Sequence, residues 1–235
     1  MWQIGPGADL FKTLTTKDEV IQFLESCSPE ERLEVFRYLR KSIPIHAIEV
    51  KLNTTAEIIL EAIDRSKDIT LRGVRGIITE VAFLIDVLTK LEGWKVNEIE
   101  GEAPYDFLIE DGVGPVNIQV KMQRKEAGKP LIRKDKFVVE VQRTRTGADK
   151  TTGQPTRPYR FGEFDILAVS MQPSTNEWNS FVYTVGAWLL PRGKTPELMA
   201  VMQPIPIEAN EDWTNDLDTA IEWFRSGTKK TIAPF

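Results

Sequence analysis

One alternating stretch restricts the fold of this chain more than any other. From 116 to 123 it reads Val-Asn-Ile-Gln-Val-Lys-Met-Gln, so that Val116, Ile118, Val120 and Met122 interleave with Asn117, Gln119, Lys121 and Gln123. A period of two puts the apolar side chains on one face and the polar ones on the other, which predicts a strand with a core side and a cleft side. Upstream stands the turn sequence Asp111-Gly112-Val113-Gly114, and before it a run carrying Tyr105, Phe107 and Ile109. If the two runs form a hairpin in which Glu110 faces Pro115, Asp106 lies opposite Gln119. Lys121 is then one step further along the same face.

The flanks suggest which layers cover that hairpin. Leu71 to Leu91 carries Ile77, Val81, Leu84, Leu88 and Leu91 at three- and four-residue steps, opens at Asp68 or Thr70 and ends before Gly93. This predicts a long helix whose stripe packs on a sheet. Glu80 flanks the stripe and is either a solvated helix residue or a group aimed into the cleft. Further strands are expected at Trp94–Ile99, Lys136–Val141, Phe164–Ser170 and Phe181–Leu189, and a last helix at Asp216–Arg225 with Leu217, Ile221 and Phe224 inward. The beginning of the chain reads as helices only. Lys17–Ser26 is one; Ser28 caps a second that Pro29 opens and Pro44 breaks, with Leu33, Phe36 and Leu39 on one side. Asn53-Thr54-Thr55 caps a third, with Ile58, Ile59, Ala62 and Ile63 as its buried stripe. The expected architecture is α/β: a mixed central β-sheet flanked by helices, residues 67–235, with an N-terminal helical lobe, residues 1–66.

Composition removes several chemistries. A single cysteine, Cys27, excludes an internal disulfide and cysteine-rich zinc sites, and is expected to be a buried structural thiol. A single histidine, His46, excludes catalysis that needs several imidazoles and reads as structural. No stretch of about 18 uncharged apolar residues suggests a membrane span, and the N-terminus has no basic segment followed by an apolar one, so a cytoplasmic location is expected. Carboxylates, amides and lysines remain. The total charge is −5, but Lys121 to Arg160 holds 12 Lys and Arg against 4 Asp and Glu, a local +8 that leaves −13 elsewhere. A positive stretch starting at the polar pair reads either as a solvated basic loop on an acidic protein or, better supported, as the electrostatic footprint for phosphates.

Residues opposite each other across a sheet pair have Cβ atoms about 4.5–5.5 Å apart. Oxygens of Asp106 and Gln119 can therefore meet at one Mg²⁺, which takes oxygen ligands at about 2.0–2.1 Å, with the Val120 carbonyl as a further ligand. Such a metal would acidify a bound water and neutralise charge on a phosphate. Lys121 can orient that water and hold a non-bridging oxygen. Gln119 carries no charge, so the cation is held less tightly than by two carboxylates; Glu80 can compensate.

Pro104-Tyr105-Asp106, then Gln119-Val120-Lys121, with a Glu80-bearing helix before them, resembles the PD-(D/E)xK nuclease superfamily, with one residue inserted in the first element and Gln119 in place of the usual acid. The resemblance implies a restriction-endonuclease-like core, Mg²⁺ dependence and phosphodiester cleavage, with Asp106 and Gln119 on the metal and Lys121 positioning the water. The runs Glu140–Arg145, Thr156–Phe161 and Glu163–Val169 look like type II restriction endonucleases in particular.

The polar segment Gln142–Phe161 is too long for a tight connection and is expected to be a functional loop or a disordered one. Arg143, Arg145, Arg157 and Arg160 have the fork geometry for guanine or phosphate, Gln142 could read adenine, and Thr144 can contact phosphate or a thymine methyl. Arg124 and Lys125 belong to the same basic stretch. The expected partner is double-stranded DNA, cut by a homodimer, because two-fold DNA sites match two-fold proteins; the lobe would serve dimerisation or DNA clamping. Two other readings fit the same residues: a structure-specific or repair nuclease on this scaffold, and a non-catalytic DNA-binding module in which Asp106 and Lys121 form a plain ion pair. Asp165 reads as structural, Trp188 and Trp223 as core, and Trp178 as surface.

Overall fold

In the computed structural model, which describes residues 16–41, 43–99, 103–143 and 157–235, helices begin where side chains can satisfy their first free N–H groups. Thr16 and Glu19 form a reciprocal capping box at α1 (Lys17–Ser26), and Ser28 and Glu31 another at α2 (Pro29–Arg40), with Pro29 at its first turn. A short helix that periodicity did not suggest, α3 (Ala47–Leu52), is capped by His46, whose Nδ1 accepts from the Ile48 N–H at 3.1 Å. The histidine is therefore a helix cap. Thr55 caps α4 (Ala56–Asp64). Cys27 is half-buried rather than buried, because it ends α1, where its Sγ donates to the Phe23 carbonyl at 3.3 Å.

These four helices fall within the first of two units into which the chain divides, Met1–Leu71 and Arg72–Phe235. Among the described residues of this first unit, the one that is buried is a carboxylate. Glu49, 6% exposed, accepts from the N–H groups of Ile45, His46 and Ala56 and from Arg40, which also pairs with Glu57. Burial pushes its pKa up, but those donors outweigh it and bring it to about 2. The expected apolar stripes are not buried: Leu33, Phe36 and Leu39 are exposed, as is Ile58 at 59%, with Ile59 and Ile63 half-buried and Ala62 exposed. Helices of 6 to 12 residues have little surface to cover one another, and most of their apolar side chains stay exposed.

In the second unit the core is a mixed sheet. α5 (Asp68–Asp86), whose first residues belong to the first unit, is followed by a 3-10 turn at Leu88–Lys90, so the helix stops earlier than periodicity suggests. Then come β1 (Lys95–Asn97), β2 (Phe107–Glu110), β3 (Pro115–Met122), β4 (Lys125–Glu126), β5 (Lys129–Pro130), β6 (Ile132–Arg133), β7 (Lys136–Glu140), β8 (Ile166–Ser170), α6 (Gln172–Thr175), β9 (Phe181–Val185), β10 (Pro191–Arg192), β11 (Thr195–Met199), β12 (Met202–Ile205) and α7 (Leu217–Arg225). The central sheet runs β1-β2-β3-β8-β9, antiparallel except for the parallel β3–β8 pair, and a three-stranded sheet β12-β7-β6 adds Val139 and Ile205 to the core. The short hairpins β4–β5 and β10–β11 carry too few residues for a period to show.

α5 meets the sheet through Phe83, whose ring lies 5.5 Å from Phe107, 5.1 Å from Phe181 and 6.3 Å from Tyr183. Its stripe differs from the expected one. Thr79, Phe83 and Leu88 are buried and Leu84, Val87 and Leu91 pack on the core, whereas Ile77, at 61%, and Val81 are exposed. The helix is apolar on two sides, with Ile78 and Ile85 also exposed, and periodicity alone cannot choose between them. α7 packs against β8 and β9 with Leu217 and Ile221 buried. Trp188 is core, Trp223 lies tilted against it with ring centres 5.4 Å apart, and Trp178 is half-buried.

Candidate active site

The hairpin holds the register that its turn implies. Glu110 faces Pro115 and Phe107 faces Ile118, and one step on the Asp106 N–H donates to the Ile118 carbonyl at 3.0 Å. The turn is held from both sides. Asp111 Oδ1 accepts from the N–H groups of Val113 and Gly114, and Gly114 adopts φ 147°, open to glycine and strained for other residues. Arg225 of α7 makes a bidentate pair with Asp111, 2.6 and 2.9 Å, and lies 5.0 Å over the Trp94 ring. On its other edge β3 is registered by Asp165, whose Oδ2 accepts from the Asn117 N–H at 2.8 Å and whose own N–H donates to the Asn117 carbonyl. Asp165 is structural.

Asp106 and Gln119 meet directly. Gln119 Nε2 donates to Asp106 Oδ2 and, at 3.1 Å, to the Val120 carbonyl; Asp106 Oδ2 also accepts from the Val120 N–H at 2.8 Å. The polar side of β3 is not open cleft at this point, because Gln119 is 1% exposed. Tyr159 covers it and donates its hydroxyl to Gln119 Oε1 at 2.9 Å. Lys121 lies beside them with its Nζ 5.7 Å from the centre of the Tyr159 ring.

Charge ties the cluster together. Burial pushes the Asp106 carboxyl above its usual range, opposed by Lys121 and the Val120 N–H. Burial pushes the Lys121 ammonium down, opposed by Asp106 and Glu80. The Glu80 carboxyl is raised by burial first and by Asp106 second, with Lys121 opposing. Glu80 is therefore half-buried within the field of the other two rather than a solvated helix residue.

Two oxygen acceptors of this cluster are of the kind a small hard cation takes. No group of three or more His, Cys, Asp or Glu that could hold a metal exists among the described residues. Instead a carboxylate oxygen and a backbone carbonyl converge on one positively polarised N–H group, that of Gln119. A divalent cation that prefers oxygen ligands would take the same pair.

The basic residues are less free than their sequence suggests. Arg124 pairs with Glu140, to which Gln142 also donates, and Arg143 pairs with Glu163 at 2.6 Å while lying 5.3 Å over the Tyr159 ring. The Arg143 N–H donates to the Arg157 carbonyl and Arg157 Nε to the Arg143 carbonyl, so the two ends of the basic segment are clasped. Lys125 and Arg160 are exposed. Thr144 and Arg145 lie outside the described residues. Tyr159, Glu140 and Glu163 lie in the runs likened to restriction endonucleases, but the sequence reading gave none of them a role. For Tyr159 a signal exists, since Tyr159 and Phe161 alternate with Arg160 as in a one-sided strand, but nothing local connects it to Gln119.

No family model matches this sequence, and no curated protein does. Among solved structures, a bacterial homing endonuclease, I-Ssp6803I, aligns over 59% of this chain and 79% of its own with a TM-score of 0.37 and 21% identity.

Proposed function

We propose that this chain is a Mg²⁺-dependent, site-specific endonuclease of the type II restriction kind, hydrolysing phosphodiester bonds in double-stranded DNA as a homodimer in the cytoplasm. One observation supports the reading above all: Asp106, the Val120 carbonyl and the Gln119 amide converge at a single point beside a desolvated Lys121 and a half-buried Glu80. Asp106, Gln119 and the Val120 carbonyl would hold the metal. Mg²⁺ there would acidify a water and offset negative charge gathering on the phosphate.

The chain's own groups account for the rest. Lys121 orients the attacking water and holds a non-bridging phosphate oxygen; burial lowers its pKa, and Asp106 and Glu80 oppose that shift. Glu80 adds negative charge that offsets the missing carboxylate at 119. Arg124, Lys125, Gln142, Arg143, Thr144, Arg145, Arg157 and Arg160 supply the DNA contacts. Arg124, Gln142 and Arg143 must first leave Glu140 and Glu163.

That last requirement favours a second reading, a structure-specific or repair nuclease on the same scaffold, whose contacts are mainly to phosphates. A mixed-sequence plasmid separates the two. Discrete fragments in Mg²⁺ that vanish on chelation support the first, and junction-selective nicking supports the second. Binding without any cleavage would leave a non-catalytic DNA-binding module and defeat both. Asp106→Ala and Lys121→Ala should bind DNA, keep their thermal midpoints within a few degrees and cut nothing.

A further inference from the structure

Gln119 presents the wrong end of its amide for a metal ligand. Its Nε2 faces Asp106 and the Val120 carbonyl, while its oxygen is occupied by the Tyr159 hydroxyl. The side chain is 1% exposed, so protein groups must satisfy it in any orientation it adopts. The terminal torsion of glutamine is roughly two-fold, so a half-turn exchanges oxygen and nitrogen with little change of shape. After such a turn three oxygens would face one another, an arrangement that a bound cation, or a proton held on Asp106, would make favourable. The amide nitrogen would then face Tyr159.

A phenol hydroxyl can donate or accept, and this decides what residue 159 does. We propose that Tyr159 is the positioning residue of the site: its hydroxyl donates to Gln119 in the metal-free protein and accepts from it once the amide has turned its oxygen toward Mg²⁺. This rests on the metal-dependent nuclease reading and deepens it. The Gln119 nitrogen lies where a cation would share the Asp106 and Val120 oxygens, so binding Mg²⁺ would mean displacing an internal donor.

The ring is held for the task. Tyr159 packs edge-on against Phe164, 5.3 Å and 87°, with Lys121 and Arg143 near its ring, and burial raises the hydroxyl pKa so that it keeps its proton. Pro158, its neighbour, bridges to Gln142. The positioning group thus stands at the clasped end of the basic segment.

The test follows the amide itself. With ¹⁵N in glutamine side chains, one pair of side-chain N–H resonances, identified by its loss in Gln119→Glu, should shift as MgCl₂ is added, saturating with the calorimetric binding curve. Tyr159→Phe keeps the ring and removes the hydroxyl, so the turned amide strands a buried N–H, a loss that interiors tolerate less than an under-used carbonyl. Its Mg²⁺ affinity should fall about tenfold. In a Gln119→Glu background there is no N–H to strand, and the same change should cost less than about threefold, a coupling that a general loss of packing would not produce.

Mg²⁺ binding with the Gln119 amide unmoved overturns the proposal and leaves the nuclease reading standing. So does an equal loss in both backgrounds. Absence of Mg²⁺ binding by the unaltered protein, indistinguishable from Asp106→Ala, ends both. The amide titration needs no variant at 159, so a Tyr159→Phe protein that fails to fold does not protect the idea.

Discussion

Asp106 and Lys121 are each short of water, and each lessens the other's loss by its charge. A carboxyl whose folded pKa lies above its unfolded one favours the fold when protonated, and that contribution disappears as pH rises through the folded value. Ionising Asp106 therefore costs stability. Asp106→Asn, which keeps an acceptor for the Val120 N–H, should melt at or above the unaltered protein in a chelator, by about 0.5–2 kcal/mol, while losing all cleavage. Melting in urea with and without the substitution measures this; a clear loss of stability would mean that the carboxylate is structural. For the same reason cleavage should rise with pH through a range above the ordinary aspartate values, since Asp106 and Glu80 must both ionise. A pH–rate profile already flat there would contradict the desolvated pair.

Among elements, the hairpin β2–β3 carries the site and the contacts of β8 aim it. Gly186, just past β9, shows how tightly that aim is set. A methyl group there would lie 2.7 Å from the Phe164 carbonyl and 3.0 Å from its ring, and the Gly186 N–H already donates to the Asp165 carbonyl at 2.7 Å. Asp165 in turn holds Asn117 of β3. Gly186→Ala should destabilise by about 1–3 kcal/mol through backbone displacement and slow cleavage by more than the lost stability explains. Denaturation curves and single-turnover rates test the two parts, and unaltered rates in a folded variant would show that β8 does not aim the site.

At the scale of the molecule, charge distribution matters more than charge. An acidic chain with a local +8 should bind DNA through that stretch, and binding should weaken by on the order of a hundredfold or more between about 50 and 200 mM salt. Affinity measured against salt concentration checks it, and a slope near zero would remove the phosphate footprint. Charge reversal at exposed Lys125 should flatten the slope by about one. The N-terminal unit carries exposed apolar side chains on α2 and α4 and a buried Glu49 paired with half-buried Arg40.

What the chain order determined was the hairpin register and most helix starts. The β2–β3 register follows from the alternation and the turn, so Asp106, Gln119 and Lys121 could be set on one face before any coordinates. Helix starts at Thr16, Ser28 and Thr55 follow from capping, because the side chain and the N–H it satisfies are three residues apart. The tertiary structure decided what depends on partners far along the chain. It chose which side of α5 is buried, since that helix is apolar on two sides. It brought Tyr159 onto Gln119 and gave Arg124 and Arg143 to Glu140 and Glu163. It also turned the Gln119 amide nitrogen, not its oxygen, toward Asp106. Local pattern tells which face a residue takes; only packing tells which distant group meets it there.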